Sequence, residues 1–223
     1  MNWAPLILTF ELALVTTIIL LLISVPLAYW LAYSKLKIKP FIEAIVSMPL
    51  VLPPTVLGFY LLLAFSPSYF LGAFLQKWLH VKLVFSFAGL VVASVIYSLP
   101  FMVQPVQAGL RALPDSLREA SYILGKSKVE TLFRVLLPNI KGSVLTGVVL
   151  AFAHTIGEFG VVLMIGGSIP GRTRVASIAI YDEVESMNYS LANTYSLILF
   201  AVTFCILLSV YLINGGYVNR FWK

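Results

Sequence analysis

Long apolar runs alternate with short polar segments along this chain. The runs cover residues 6–33, 41–65, 84–106, 142–165 and 191–214. A helix needs roughly 20 apolar residues to cross the hydrocarbon core of a bilayer, and each run has that length. No basic segment precedes the first run, which distinguishes it from a cleaved signal peptide. The pattern predicts an all-α integral membrane protein, with a single transmembrane domain over residues 1–223 and five spans.

Composition agrees with the pattern. Of the 223 residues, 60% are hydrophobic and 11% are charged, whereas soluble domains carry about 25% charged residues. A soluble fold of this length could not bury so much apolar surface. The single cysteine, Cys205, excludes an internal disulfide.

The distribution of basic residues predicts how the chain is oriented. Eleven of the 15 Lys and Arg residues lie in segments 34–40 and 109–141 and in the C-terminal tail, which share one side of a five-span protein. The positive-inside rule places that side in the cytoplasm, with the N-terminus outside and the C-terminus inside. Basic residues at membrane edges also explain the net charge of +6 without a nucleic-acid partner.

Segment 109–141 carries the signals of two short capped helices. Ser116 and Glu119 form a capping box that predicts a helix start near residue 117, and Gly125 is placed to end that helix. Two such helices joined by a glycine elbow, exposed to water, would suit docking against a soluble partner. In the alternative interpretation, these residues only cap and end helices.

The second predicted helix of this segment begins with another capping box. Ser127 is followed three residues later by Glu130, and Pro138 is expected to stop or bend the helix.

The second span is interrupted by Pro49, Pro53 and Pro54, followed by Thr55. Non-helical backbone at membrane depth is tolerated only where it is buried in protein or lines a cavity, and interrupted helices can direct N–H groups at an anion. These four residues are therefore predicted to line a solute pathway. For the prolines of the third span, a packing kink is the preferred interpretation.

The fourth span contains an acid. Glu158 follows His154 by four residues, so a continuous helix would place both on one face. An acid in a span is a functional hypothesis by default, yet a carboxylate repels anions, so Glu158 is expected to pair with His154 or with N–H groups. The pathway candidates in the fourth span are His154, Gly157, Glu158 and Gly160. Packing between helices or protomers is the open alternative.

Two sets of residues resemble known transport proteins. Glu119, Ala120, Ser121, Gly125 and the pair Leu137-Pro138 match the EAA motif of ABC-importer permease subunits, with Ser121 and Val135 as conservative departures. Segments 48–54, 157–160 and 169–173 resemble the molybdate-importer permease family, much of whose core is shared with sulfate and tungstate permeases.

The resemblance implies an assembly. Segment 109–141 would be a cytoplasmic coupling loop that docks on separate ABC ATPase subunits, through Glu119, Ala120, Ser121, Gly125, Leu137 and Pro138. The permease would form a homodimer that receives an oxyanion from an extracytoplasmic binding protein. Arg172 and Arg174, which lie outside in the five-span topology, are the predicted contacts with that protein. Segment 173–188 is expected to form a short helix on the outer face.

Other functions are less well supported. Gly125-Lys126-Ser127 resembles the end of a phosphate-binding loop, but Ala120 stands where that loop needs glycine. No catalytic residue is therefore predicted, and ATP hydrolysis is assigned to a partner. His154 and Glu158 lack further ligands for a metal, and no cofactor is expected. A secondary transporter or channel remains the rival class, although neither needs a docking loop.

Overall fold

The computed structural model of this chain describes residues 2–214. The predicted cytoplasmic tail, with Arg220 and Lys223, lies outside the described residues. All regular secondary structure in the described part is helical, so the predicted all-α fold is confirmed. The helices are α1 Ala4–Tyr33, α2 Lys39–Ser47, α3 Pro54–Phe65, α4 Phe70–Leu79, α5 Phe87–Ala112, α6 Asp115–Ile123, α7 Lys128–Thr131, α8 Leu137–Asn139, α9 Lys141–Ile156, α10 Gly160–Gly166, α11 Ala176–Glu185 and α12 Tyr189–Asn214. A 3₁₀ turn, Met48–Leu50, follows α2, and a π-helical turn, Leu132–Leu136, joins α7 to α8.

Three of these helices, α1, α5 and α12, are long and apolar enough to cross a bilayer. Two bent pairs raise the number of possible crossings to five. The first joins Lys39–Leu50 to Pro54–Phe65 at 111°, and the second joins Lys128–Asn139 to Lys141–Ile156 at 83°. The number of spans therefore depends on how each bent pair meets the membrane.

Helix α1 forms the centre of the bundle, with α5 and α9 packed along it. One buried apolar cluster, containing Leu12, Leu90 and Ile165, joins the first half of α1 to α3, α5 and α10. A second cluster, containing Leu31, Leu110 and Leu136, joins the other half of α1 to the end of α5 and the π-helical turn. The core thus follows the whole length of α1 and reaches the polar segment 109–141.

The predicted second span is not one straight helix. After the 3₁₀ turn the chain bends, and Pro53, with a φ of −54° and an extended ψ of 134°, precedes the first residue of α3, Pro54. Proline has no N–H to donate and a fixed φ, so Pro54 is suited to the first position of a new helix but would disrupt the interior of a longer one. The prolines therefore divide the span rather than kink it.

The predicted fourth span is also divided. Helix α9 ends at Ile156, Gly157 is its C-cap, and α10 starts at Gly160. Glu158 lies in the break, so the prediction that it shares a helical face with His154 is wrong. Glycine lowers helix propensity by about 1 kcal/mol relative to alanine. Gly157 and Gly160 lie within four residues of each other, so a helix is weakened at this point.

Glycine allows the second halves of the two divided spans to pack closely. A Cβ atom at Gly58 of α3 would lie 2.7 Å from Met164 Cβ and 3.0 Å from Val161 Cα of α10. Small residues let helix backbones approach in membranes, where dispersion and polar contacts hold helices together. The two half-helices form one packed pair.

This packing predicts the effect of one added methyl group. We expect Gly58→Ala to destabilise the protein by about 1–3 kcal/mol, because its Cβ overlaps α10. Gly142→Ala in α9 is the matched control, since no atom lies within 4 Å of a Cβ built there. Thermal unfolding in detergent should show a lower Tm for Gly58→Ala only. An unchanged Tm in both variants would contradict the close packing of α3 on α10.

Candidate coupling and translocation sites

The first helix of the predicted coupling loop, α6, begins at Asp115 with Pro114 as its N-cap. The predicted capping box of Ser116 and Glu119 is therefore wrong, since Ser116 already lies inside the helix. Pro114 has an extended backbone and cannot continue the preceding helix, while the Asp115 carboxylate interacts favourably with the helix N-terminus. Arg118 Nη2 donates to Asp115 Oδ1 at 2.9 Å across this first turn.

Gly125 ends α6 as predicted. Its φ is +76°, in the left-handed region. The N–H of Gly125 donates to the carbonyl of Tyr122 at 2.9 Å, and the N–H of Lys126 donates to the carbonyl of Ser121 at 3.1 Å. These two bonds form a Schellman motif. No atom lies within 4 Å of a Cβ built at Gly125, so the backbone conformation, and not lack of space, favours glycine here.

The second predicted cap is confirmed. Ser127 Oγ accepts the N–H of Glu130 at 3.2 Å, and α7 begins at the next residue, Lys128. The Glu130 carboxylate accepts from Lys126 Nζ at 2.8 Å and from Arg134 Nη1 at 2.9 Å. The hydrogen bond from Lys126 lowers the pKa of Glu130. Both ion pairs thus stabilise the α7 side of the elbow.

The residues that match the EAA motif occupy different environments. Glu119 and Ala120 are exposed, whereas Ser121 is buried and its hydroxyl lies 2.8 Å from that of Thr131. Ser121 therefore joins α6 to α7. Leu137 is half-buried against the second core cluster, and Pro138 is exposed. The helix ends one residue after Pro138 and the chain then bends by 83°.

The structure shows an exposed apolar surface that the sequence analysis missed. Ile123 is 86% exposed, Leu124 is 76% exposed and Val129 is 66% exposed, and all three lie at the elbow. We call these three residues the apolar tip. In the sequence, these three apolar residues lie within four positions of Gly125, next to the charged residues Lys126, Lys128 and Glu130. This pattern could have predicted the exposed apolar surface. Exposed apolar clusters rimmed by polar residues are typical of protein interaction sites.

The predicted coupling loop is held against the transmembrane helices by polar and aromatic contacts. The hydroxyls of Tyr29 and Tyr122 lie 3.1 Å apart. The Arg118 guanidinium stands 4.3 Å from the centre of the Tyr33 ring, and Tyr33 Oη donates to the carbonyl of Leu110 at 2.9 Å. Displacement of α6 would therefore act directly on α1 and α5.

The two helix breaks meet in the bundle. A Cβ at Gly160 would lie 2.9 Å from Pro54 Cβ and 3.4 Å from Thr55 N, so the N-terminal ends of α3 and α10 are neighbours. Since Gly58 also contacts α10 further along, the two half-helices run in the same direction. Pro53, Pro54, Thr55 and Gly157 are exposed, while Pro49 and Gly160 are buried.

The predicted pairing of Glu158 with His154 is wrong. His154 Nδ1 lies 2.9 Å from Ser98 Oγ, and its ring stacks on Phe101 with ring centres 4.0 Å apart. Glu158 is 4% exposed, and neither oxygen of its carboxyl group has a hydrogen-bond partner among the described residues. Its backbone carbonyl accepts from Ser177 Oγ at 2.7 Å, which fixes the break against α11.

Segment 173–188 contains the predicted helix, α11. The two arginines just before this helix, Arg172 and Arg174, differ in their surroundings. Arg174 is bound within the chain, because Nε donates to Asp182 at 2.8 Å and Nη2 to Glu183 at 3.3 Å. Arg172 is exposed. Of the two predicted contacts with a binding protein, Arg172 is thus the one presented to solvent.

Comparison with known proteins places this geometry in a family. The family model described as "Binding-protein-dependent transport system inner membrane component" matches residues 24–223. The "Molybdenum transport system permease protein ModB" of Azotobacter vinelandii is 46% identical over 204 residues, which cover 92% of this chain and 90% of that protein. The "Probable sulfate transport system permease protein cysT" of Zygnema circumcarinatum is 32% identical over 212 residues, covering 95% and 72%.

A solved structure shares the fold. A chain of the MetNI methionine ABC transporter, in inward-facing conformations, matches with a TM-score of 0.73, and the match covers 95% of this chain and 94% of that chain at 17% identity. The similarity in sequence and in fold extends over nearly the whole chain. This chain therefore belongs to the family of binding-protein-dependent transport system inner membrane components.

Proposed function

We propose that this chain is the permease subunit of an ABC importer for molybdate. The observation that carries the substrate assignment is the 46% identity to a molybdenum permease over 92% of the chain, against 32% to a sulfate permease over a similar length. Sulfate is the second candidate substrate because of the 32% identity to the sulfate permease. Tungstate is expected to be transported like molybdate, because the two dianions are alike in shape and charge.

The proposed coupling surface is the outer part of α6 and α7. Glu119 and Ala120 would contact a cytoplasmic ATPase directly, and the apolar tip would supply the buried centre of that contact. Ser121 and Gly125 would act indirectly, by holding the two helices at a fixed angle. Leu137 and Pro138 would transmit movement, because they lie where the loop meets the second core cluster and α9.

The proposed translocation pathway passes the two adjacent helix breaks. Pro53, Pro54, Thr55 and Gly157 form an exposed surface there, which a second copy of the chain would enclose in the proposed homodimer. Pro53 and Pro54 carry no N–H, and the N–H groups of Val56 and Leu57 are bonded to the Pro53 carbonyl. The Thr55 N–H and the positive end of the α3 dipole would therefore attract an anion without binding it tightly. Conduction needs a site weak enough to release its ion. Segments 40–76 and 142–171, which contain the two breaks, have no arginine or lysine in their sequence.

The proposed orientation of the chain in the membrane is based on the distribution of its lysine and arginine residues. The coupling loop and segment 34–40 would face the cytoplasm, and α4, Arg172 and α11 would face outward, towards a binding protein.

The coupling role predicts a conformational requirement at the elbow. Valine at Gly125 would have to adopt a left-handed φ at a cost of roughly 1–2 kcal/mol, whereas asparagine tolerates that region. We expect Gly125→Val to lose most uptake and most binding-protein-stimulated ATP hydrolysis in proteoliposomes containing the ATPase, while Gly125→Asn retains both. Equal activity of the two variants would show that the elbow geometry does not govern coupling.

The outward surface predicts a charge effect at Arg172. Arg172→Glu should raise severalfold the concentration of binding protein needed for half-maximal ATPase stimulation, because a charge at the rim of an interface mainly changes the association rate. Lys77→Glu, on α4, is the control for a general change in surface charge. If both variants lose stimulation equally, Arg172 makes no specific contact.

Competition between oxyanions for uptake tests the proposed substrate assignment. Vesicles containing the permease, its ATPase and its binding protein should take up labelled molybdate, and excess unlabelled tungstate should inhibit that uptake strongly. Excess sulfate should inhibit it weakly, because sulfate is the smaller dianion. Uptake of sulfate in preference to molybdate would replace the proposed substrate, and ATP-independent accumulation would overturn the assignment to an ABC importer.

A further inference from the structure

Helix α5 carries a polar face near its end, and this face meets a polar face of α2. Gln104, Gln107 and Arg111 recur at intervals of three and four residues, which places them on one side of α5. Glu43 and Ser47 are four residues apart on α2 and lie opposite. Gln107 is buried and Glu43 and Ser47 are partly buried, whereas Gln104 and Arg111 are exposed. Polar and charged side chains that meet between membrane helices are costly, and they are therefore a sign of function.

The contacts across this interface are specific. Gln107 Nε2 donates to Glu43 Oε1 at 2.6 Å, and Arg111 Nη2 forms an ion pair with the same oxygen. Gln104 Nε2 donates to Ser47 Oγ at 3.2 Å. Arg111 Nη2 also approaches the carbonyl of Leu31 on α1, at 3.4 Å. Two donors from α5 thus converge on one carboxylate oxygen.

A cavity of about 310 Å³ lies at this interface. It is lined by the five polar residues together with Leu31, Val46 and Ala108. One water molecule occupies about 30 Å³ in the liquid, so the cavity has room for a small hydrated ion. Ser47 immediately precedes the 3₁₀ turn and the break of the second span, which places the cavity between the proposed pathway and the coupling-loop end of α5.

The donor set matches one class of ligand. Guanidinium and amide N–H groups that converge on a carboxylate oxygen are the groups that bind the oxygens of a tetrahedral oxyanion, and charge assistance makes such bonds strong. We propose that Gln104, Gln107 and Arg111 form an exit site for the transported oxyanion, and that the Glu43 carboxylate occupies this site when the oxyanion is absent. The proposal rests on the proposed oxyanion import.

Glu43 then acts as an internal competitor. The Arg111 side chain is 46% exposed and that of Glu43 is 32% exposed, and ion pairs exposed to this degree exchange at little cost. An arriving dianion can displace the single negative charge of Glu43 from Arg111. The return of Glu43 then expels the dianion, so the site combines recognition with release, as conduction requires.

Direct binding tests the competition. In detergent-solubilised permease, Glu43→Gln should increase the affinity for tungstate roughly fivefold, the factor expected for the loss of a partly exposed ion pair. Arg111→Gln added to Glu43→Gln should abolish the gain. Glu11→Gln, an exposed acid in the first half of α1, is the matched control and should leave tungstate binding unchanged.

Further variants separate this site from a general loss of folding. Arg111→Lys keeps the charge but not the planar fork of donors, so in the Glu43→Gln background it should give intermediate affinity. Size-exclusion profiles identify any variant that fails to fold. In proteoliposomes, Glu43→Gln should slow molybdate uptake, because release becomes limiting.

The outcomes distinguish the exit site from the proposed function. If wild-type vesicles import molybdate but Glu43→Gln leaves both tungstate affinity and uptake unchanged, the exit site is wrong and the importer assignment stands. If tungstate affinity rises equally in Glu11→Gln, the effect is one of overall charge and the exit site is also wrong. If wild-type vesicles import no oxyanion at all, the proposed function itself fails.

Discussion

Backbone polar groups inside a bilayer have no water to satisfy them, and this constraint governs the two helix breaks of the chain. The break at residues 51–53 and the break at residues 157–159 are placed beside each other, and their following half-helices, α3 and α10, pack through Gly58 and Gly160. Each break is thereby covered by protein on one side. Val51, Pro53 and Gly157 remain exposed, and in the homodimer proposed above a second copy of the chain would cover them.

The proposed coupling loop, segment 109–141, depends on the transmembrane helices for its position. Its two helices are joined by the Ser121–Thr131 hydrogen bond and the Gly125 elbow, and α6 is held to α1 by Tyr29, Tyr122 and Arg118. Its second half continues through the π-helical turn into the second core cluster. A force applied at the apolar tip would therefore reach α1, α5 and α9 through packed contacts rather than through a flexible linker.

The ion pairs of segment 109–141 and the Glu43–Arg111 pair are partly exposed, whereas Glu158 is buried beside α10 with no hydrogen-bond partner in residues 2–214. Partly exposed pairs can exchange partners at small cost, which suits groups that guide an ion or dock a partner. The cost of burying this unpaired carboxyl group must be met by the surrounding packing, and acidic residues within membrane spans are candidates for a functional role.

The sequence alone determined the membrane class, the five apolar runs, the Gly125 elbow and the cap at Ser127, because these depend on hydrophobicity, on glycine's access to positive φ and on contacts between residues close in the chain. It mispredicted the start of α6, where Pro114 prevails over Ser116, and the continuity of the spans at Gly157. Only the tertiary structure brought Pro54 to Gly160, separated Glu158 from His154 and paired Glu43 with Arg111. These contacts join residues far apart in the chain, so they depend on how the helices pack, which local sequence patterns do not encode.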